Sequence, residues 1–273
     1  MSCFICPVCG NELREEGSSL RCENAHSFDI ARSGYVNLLL SQQAKSKHHG
    51  DDKTMVRARR DFLNKGYYRP LLDALSDAVK KYAQDGCVIF DAGCGECWYT
   101  ANIFEYLAEN QIDFELLAVD ISKDALAAGA KRCRFLKLAV ASVFRLPMKE
   151  SSCDILTSVF APCCGEEFAR VLKKGGILIR VVPLERHLWS LKNVVYDSPY
   201  ENQAEDLNLE KFELIEKLEI RKTIHLPNSE DITNVFMMTP YYYKTSAEDQ
   251  KKLQNITELD TETEFGILTY RRT

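Results

Sequence analysis

Nowhere does the chain hold an uninterrupted apolar run of the roughly 18 residues that a membrane-crossing helix needs, so no span is expected. Its first residues, Met1-Ser2-Cys3, lack the basic start and apolar core of a secretory signal. Basic charge is also short: 35 Lys and Arg stand against 40 Asp and Glu, for a net charge of −5. That balance counts against binding nucleic acid through bulk charge alone. There is no internal repeat and no low-complexity segment. What remains is ordinary globular composition, 45% hydrophobic and 27% charged. The 273 residues suffice for one large domain and a small appendage.

Cysteine, by contrast, is plentiful, with 11 in the chain. Cys87, Cys94, Cys133 and Cys153 lie in or beside apolar runs, as buried thiols do in a reducing cytoplasm, which is the expected location. Cys6 and Cys9 differ, because they form a C-x2-C knuckle followed by Cys22 and His26. Two such pairs can turn back onto one tetrahedral zinc ion, and Pro7 and Gly10 suit the tight turn. Cys3 competes for the first place, and free thiols beside an incidental histidine are the plainer alternative. Four protein ligands close the coordination sphere, so the predicted role is structural. A segment of about 40 residues buries too little apolar surface to fold alone, and the metal would supply the missing stability.

Charge is unevenly placed. Lys45, Lys47, Lys53, Arg57, Arg59, Arg60, Lys65 and Arg69 cluster ahead of an acidic C-terminal stretch. Such a cluster is either a solvated helix face or an RNA contact. The expected organisation is a zinc-binding ribbon module over residues 1–40, a basic helical linker over 41–85 and a catalytic domain over 86–273.

From Cys87 the pattern alternates strand and helix, as a parallel doubly wound sheet does. "VIFDAGCGECWYT" places Asp91, Gly93 and Gly95 where a strand turns into a helix, and "AVDIS" ends the next strand with Asp120. An acid there can accept hydrogen bonds from both ribose hydroxyls of a bound nucleoside. A dinucleotide fingerprint needs a third glycine, where this chain has Trp98. S-adenosylmethionine carries no pyrophosphate and fits the glycine pair. The alternative is the same fold with an empty or different site.

Taken in order, "CPVCG", "FDIARSGYVNLL", "FLNKGYYRPL", "DAGCGECWYT", "VASVFRLP", "RHLWSLKNVVY" and "MMTPYYYK" resemble the RlmA family of 23S rRNA (guanine-N1)-methyltransferases, including its RlmA(II) branch. The likeness covers nearly the whole chain. It implies an α/β fold: a Rossmann-like class I S-adenosylmethionine-dependent methyltransferase domain with a small N-terminal zinc-binding domain. It implies that Cys6, Cys9, Cys22 and His26 hold structural zinc, and that Tyr68, Gly95, Glu96 and His187 contact S-adenosylmethionine. The implied partner is a 23S rRNA hairpin, and a homodimer is neither required nor excluded. Family members tend to read "GEGYYT" where this chain reads "GECWYT", so Cys97 and Trp98 depart from the pattern. Two other readings stand beside this one: a methyltransferase of a small molecule or protein, and a non-catalytic RNA-binding protein with a degenerate cofactor site. Glu166, Glu167 and Asp51 are carboxylates near the relevant loops, but nothing in the sequence marks one as the proton acceptor.

Overall fold

The computed structural model describes residues 4–40 and 50–273. Cys3, Lys45, Lys47, His48 and His49 lie outside the described residues. The chain begins with three short antiparallel strands, β1 (Arg14–Glu16), β2 (Ser19–Arg21) and β3 (Ser27–Asp29). Gly17 turns β1 into β2 at φ +64°, the positive angle a two-residue hairpin loop requires at its first position. A fourth strand, β4 (Tyr35–Asn37), leaves this sheet for another.

Helix α1 (Lys53–Leu63) starts where the Asp52 carboxylate accepts from the Thr54 and Met55 amides at 2.8 and 3.0 Å. It buries Met55, Val56, Phe62 and Leu63 and is stopped by the turn at Gly66. Helix α2 (Arg69–Tyr82), with proline in its first turn, buries Leu71, Leu72, Leu75 and Val79. Among the described residues, the segment expected as a basic helical linker holds two packed helices, because their apolar stripes need a partner.

Strand and helix then alternate: β5 (Cys87–Ala92), α3 (Trp98–Glu109), β6 (Phe114–Asp120), α4 (Lys123–Gly129), β7 (Lys137–Val140), β8 (Cys153–Val159), α5 (Gly165–Val171), β9 (Leu172–Pro183) and α6 (Trp189–Val195). A long hairpin, β10 (Phe212–Leu226) and β11 (Leu259–Arg272), brackets α7 (Ser229–Met237) and two short helices, α8 (Tyr241–Lys244) and α9 (Ala247–Lys251). Helix α1 packs on α7, and Lys65 and Tyr67 both bond to the buried Asp231 of α7.

The eight-stranded sheet runs β10-β11-β9-β8-β5-β6-β7-β4. Strands β4 to β9 run parallel to one another, and β11 pairs antiparallel with β9 and β10. Both faces are covered, so the central strands are apolar on alternate sides: Ile89 joins one apolar layer and Phe90 the other. Strand β4 pairs with β7 in the register Tyr35↔Leu138 and Asn37↔Val140, so the metal-knuckle segment extends the main sheet by one strand. Strand β5 has β6 on one side and β8 on the other, which makes its C-terminal end the switch point where such sheets bind ligands.

Candidate functional site

The loop leaving β5 occupies that switch point. The Gly93 and Cys94 amides both donate to the Val119 carbonyl at 2.9 Å, drawing the loop over the end of β6. Gly93 has φ +91°, and a Cβ there would lie 2.4 Å from that of Ala161, so no side chain fits. Gly95 donates its amide to Asp120 Oδ2 at 2.8 Å, while Asp120 Oδ1 accepts from the Ser122 amide at 2.8 Å. Burial raises the Asp120 pKa, against the pull of those amides. Asp91 is buried and accepts from Thr100 Oγ1 at 2.5 Å and Thr157 Oγ1 at 3.0 Å, pinning β5 to α3 and β8. Burial pushes its carboxyl up to about 6.

Asp91, Gly93, Gly95, Glu96 and Asp120 line one cavity of about 400 Å3. Two buried polar atoms on its wall, Glu96 Oε1 and the Tyr99 hydroxyl, have no hydrogen-bond partner among the described residues. Leaving such groups dry costs about 1–3 kcal/mol each, so a water or ligand group that bonds to them stabilises this wall. The other Glu96 oxygen pairs with Arg132, which also donates to Asn64.

A second cavity, of about 260 Å3, adjoins the first, and Arg59, Leu63, Tyr99, Phe160 and Ala161 line both. Tyr68 and His187 lie on this second wall, not among the residues of the first. His187 Nδ1 accepts from the Glu264 amide at 3.2 Å, which leaves the ring proton on Nε2, 3.4 Å from the Tyr68 hydroxyl. Burial drives the imidazole down to about 3, so it is neutral. Tyr68, His187 and Phe160 all pack around the Phe265 ring, with centroids 4.8, 4.7 and 5.6 Å away. Phe160 holds φ 55°, a strained angle for a bulky residue and one often found at ligand sites.

The expected metal ligands also converge. One ligand atom from each of Cys6, Cys9, Cys22 and His26 falls within 4.8 Å of the others. Zinc bonds of about 2.3 Å to sulfur and 2.0–2.1 Å to nitrogen would set tetrahedral separations of roughly 3.8 Å for S–S and 3.5 Å for S–N. The observed separations are 3.7 Å for Cys9–Cys22 and 3.5 and 3.4 Å from His26 Nδ1 to Cys6 and Cys22. The Asn11 amide, ahead of His26 and the neighbouring thiols, lowers the Cys9 thiol to about 6, whereas burial raises that of Cys6. The knuckle closes where the Gly10 amide donates to the Cys6 carbonyl at 2.8 Å.

Comparison with known proteins agrees with this geometry. Residues 4–47 match the family model described as RlmA, N-terminal, and residues 90–180 match a methyltransferase domain. The chain is 35% identical over 230 residues to a Streptomyces fradiae protein named 23S rRNA (guanine(748)-N(1))-methyltransferase, covering 81% of this chain and 79% of that one. The chain belongs to the RlmA family. A Bacillus subtilis relative, named a putative 23S rRNA (guanine-N(1)-)-methyltransferase, is 33% identical over 77% of this chain and 75% of its own. An RlmA-family protein with this fold is an S-adenosylmethionine-dependent methyltransferase with a structural zinc ribbon.

The departure from the RlmA pattern at "GECW" is accommodated. Cys97 takes the left-handed conformation a glycine would take, φ 61° and ψ 26°, just before α3. Its side chain fits because α4 presents Gly129, where a Cβ would lie 2.5 Å from Cys97 Sγ. Other contributors carry no spacing signal: Thr157 and Arg132 reach the site only through the fold. Among the described residues, the basic cluster does not form one face. Arg59 turns inward to Asp51 Oδ2 at 2.7 Å and the Met238 carbonyl at 2.9 Å, while Arg57 stays 78% exposed. Glu167 accepts from the Leu146 amide and Arg170, away from both cavities.

Proposed function

We propose that this protein transfers the methyl group of S-adenosylmethionine to N1 of a guanine in a 23S rRNA hairpin, working in the cytoplasm. The observation that carries the reading is the pair of adjoining cavities at the β5 switch point, one bounded by the glycine turn and the carboxylates of Asp91, Glu96 and Asp120, the other by Tyr68, His187 and Tyr241. The guanine-N1 activity printed for the relatives points to the acceptor. It favours RNA over a small molecule or protein, and an enzyme over a non-catalytic binder.

S-adenosylmethionine, when bound, supplies an electrophilic methyl on a sulfonium. The residues fit it. Each Asp120 oxygen accepts one backbone amide, and a carboxylate oxygen has two lone-pair sites, so one on each remains for a ribose hydroxyl. Asp91 and Glu96 present carboxylates to the same cavity, and Glu96 Oε1 awaits a donor. The Gly93–Gly95 turn lets the backbone approach without side chains. Tyr68 and His187 line the adjoining chamber, where the methyl end meets the acceptor. The chain's task is to hold acceptor and methyl in line and exclude water.

A guanine exposes N1 only when unpaired or splayed from its stack, and an aromatic wall favours such a base. Phe160 stands where the two cavities meet, 37% exposed. Cys6, Cys9, Cys22 and His26 would hold the zinc, which shapes the N-terminal module. Incubation with labelled S-adenosylmethionine and either a 23S rRNA fragment or a metabolite panel tests the acceptor class. Label in the RNA alone supports the reading, and label in a metabolite alone removes it.

A further inference from the structure

Methylation at guanine N1 has a requirement the cofactor loop does not meet. N1 carries a proton at neutral pH, and a group beside it must take that proton. In the first cavity Asp91 is engaged by two threonines and Asp120 by two amides, while Asp51 and Glu96 each hold an arginine through one oxygen, and none of the four lines the second cavity. His187 holds its proton on the nitrogen facing Tyr68, and the other nitrogen is bonded to a backbone amide.

Among the described residues that line the second cavity, Glu205 is the one carboxylate. Arg180, a buried cation on β9 that is 5% exposed, donates Nη2 to Glu205 Oε1 at 2.7 Å. That pairing holds one oxygen and leaves Oε2 for a substrate N–H. The segment carrying Glu205 is fixed by Asn202, three residues earlier. Its amide and Nδ2 donate to the Glu185 and Leu184 carbonyls at 2.8 and 2.7 Å, and its Oδ1 accepts from the buried Lys192 at 2.7 Å and Tyr241 at 2.8 Å. Burying a lysine to anchor an irregular segment is costly unless that segment must be placed accurately.

We propose that Glu205 accepts the N1 proton of the target guanine in the second cavity, with Arg180 as its positioning residue; this rests on the guanine-N1 reading above. The N1–H bond breaks and its proton passes to a Glu205 oxygen. The freed N1 electron pair forms the bond to the methyl carbon, and the carbon–sulfur pair stays on sulfur, leaving S-adenosylhomocysteine. Guanine presents N1–H and an N2–H side by side, so the same carboxylate discriminates guanine from adenine, whose N1 has no proton.

The titratable and charged groups around Glu205 are Arg180 on β9, Tyr270 on β11, Cys163 after β8, and Arg59, Tyr68, Tyr99, His187 and Tyr241 around the cavity. The test is single-turnover methyl transfer to a 23S rRNA fragment by wild type, E205Q and E205D across pH. Calorimetric S-adenosylmethionine binding and thermal melts run alongside to show that each variant is folded and loaded. E205Q is expected to lose roughly 100-fold or more in rate at neutral pH. It keeps cofactor binding, and it regains rate as pH rises towards the ionisation of N1 itself, where no base is needed. E205D, which retains a carboxylate, keeps the wild-type pH profile at a lower rate. A wild-type rate for E205Q, or an equal loss at every pH, overturns the assignment. A wild-type enzyme that leaves N1 unmethylated overturns the functional reading, and the role of Glu205 with it. If E205Q melts early, E205D decides alone: a pH profile shifted from that of wild type contradicts a carboxylate base.

Discussion

The Gly95 amide donates to the Asp120 carboxylate at 2.8 Å, so the turn after β5 and the end of β6 form one rigid corner. Asp120 serves both the protein and the ligand in this arrangement. Asp120→Ala should weaken S-adenosylmethionine binding by roughly 10- to 100-fold, the equivalent of about 1.5–3 kcal/mol for charge-assisted hydrogen bonds. Calorimetry measures this directly, and unchanged affinity would place the sugar elsewhere.

Asp91 makes the free protein's stability depend on pH. Its folded pKa, about 6, lies above the ordinary carboxylate value because burial penalises the anion. The native state therefore keeps the proton longer than the unfolded state. The stabilisation this gives is full below the unfolded pKa and is lost as pH rises through about 6. Urea melts without cofactor should show wild type losing on the order of 3 kcal/mol relative to Asp91→Asn between about pH 4 and pH 7. Parallel stability curves would mean that Asp91 is ionised throughout.

Gly129 and Cys97 should be coupled. Gly129→Ala puts a methyl where Cys97 Sγ lies, 2.5 Å from the added carbon. It should destabilise, and Cys97→Gly should rescue it, because glycine removes the thiol and suits φ 61°. A double-mutant cycle is expected to return an interaction on the order of 1–2 kcal/mol. Additive effects would show that helix α4 moves aside freely.

Removing zinc should loosen the knuckle and the sheet edge together. Chelation, or protonation of the thiolates at low pH, should expose β1 to β4 and, through the β4–β7 pairing, the amides of β7. Hydrogen exchange should rise there while β5 and β8 stay protected and S-adenosylmethionine still binds. Protection unchanged at β7 would show that the edge pairing does not need the metal.

The arginines of α1 should separate by role. Arg59→Ala removes the tie between Asp51 and the Met238 carbonyl and should impair cofactor binding. Arg57→Ala, at a side chain 78% exposed, should leave the cofactor untouched and weaken RNA binding in a salt-dependent way. Equal effects on both ligands would contradict this division.

Much of this was legible in the chain. The knuckle spacing named four residues that do converge, because a C-x2-C turn and a nearby Cys–His pair have few ways to meet. The strand–helix alternation was readable because buried parallel strands are short apolar runs. The 41–85 segment was less so: helical periodicity shows an apolar stripe and not what covers it, and the cover of α1 is α7, far along the chain, while α2 packs on α3. Nor could spacing show that β4 would leave its own module to edge the main sheet. Glu205 sits in the acidic run "ENQAED", and only the buried Arg180 on β9 distinguishes it from its neighbours.

The most direct test is mass-spectrometric mapping of 23S rRNA nucleosides from cells with and without the protein. The account predicts a single N1-methylguanosine that vanishes without it and returns with wild type, but not with Asp120→Ala. Identical maps from the two cells, or a methyl group on another atom or base, would contradict it.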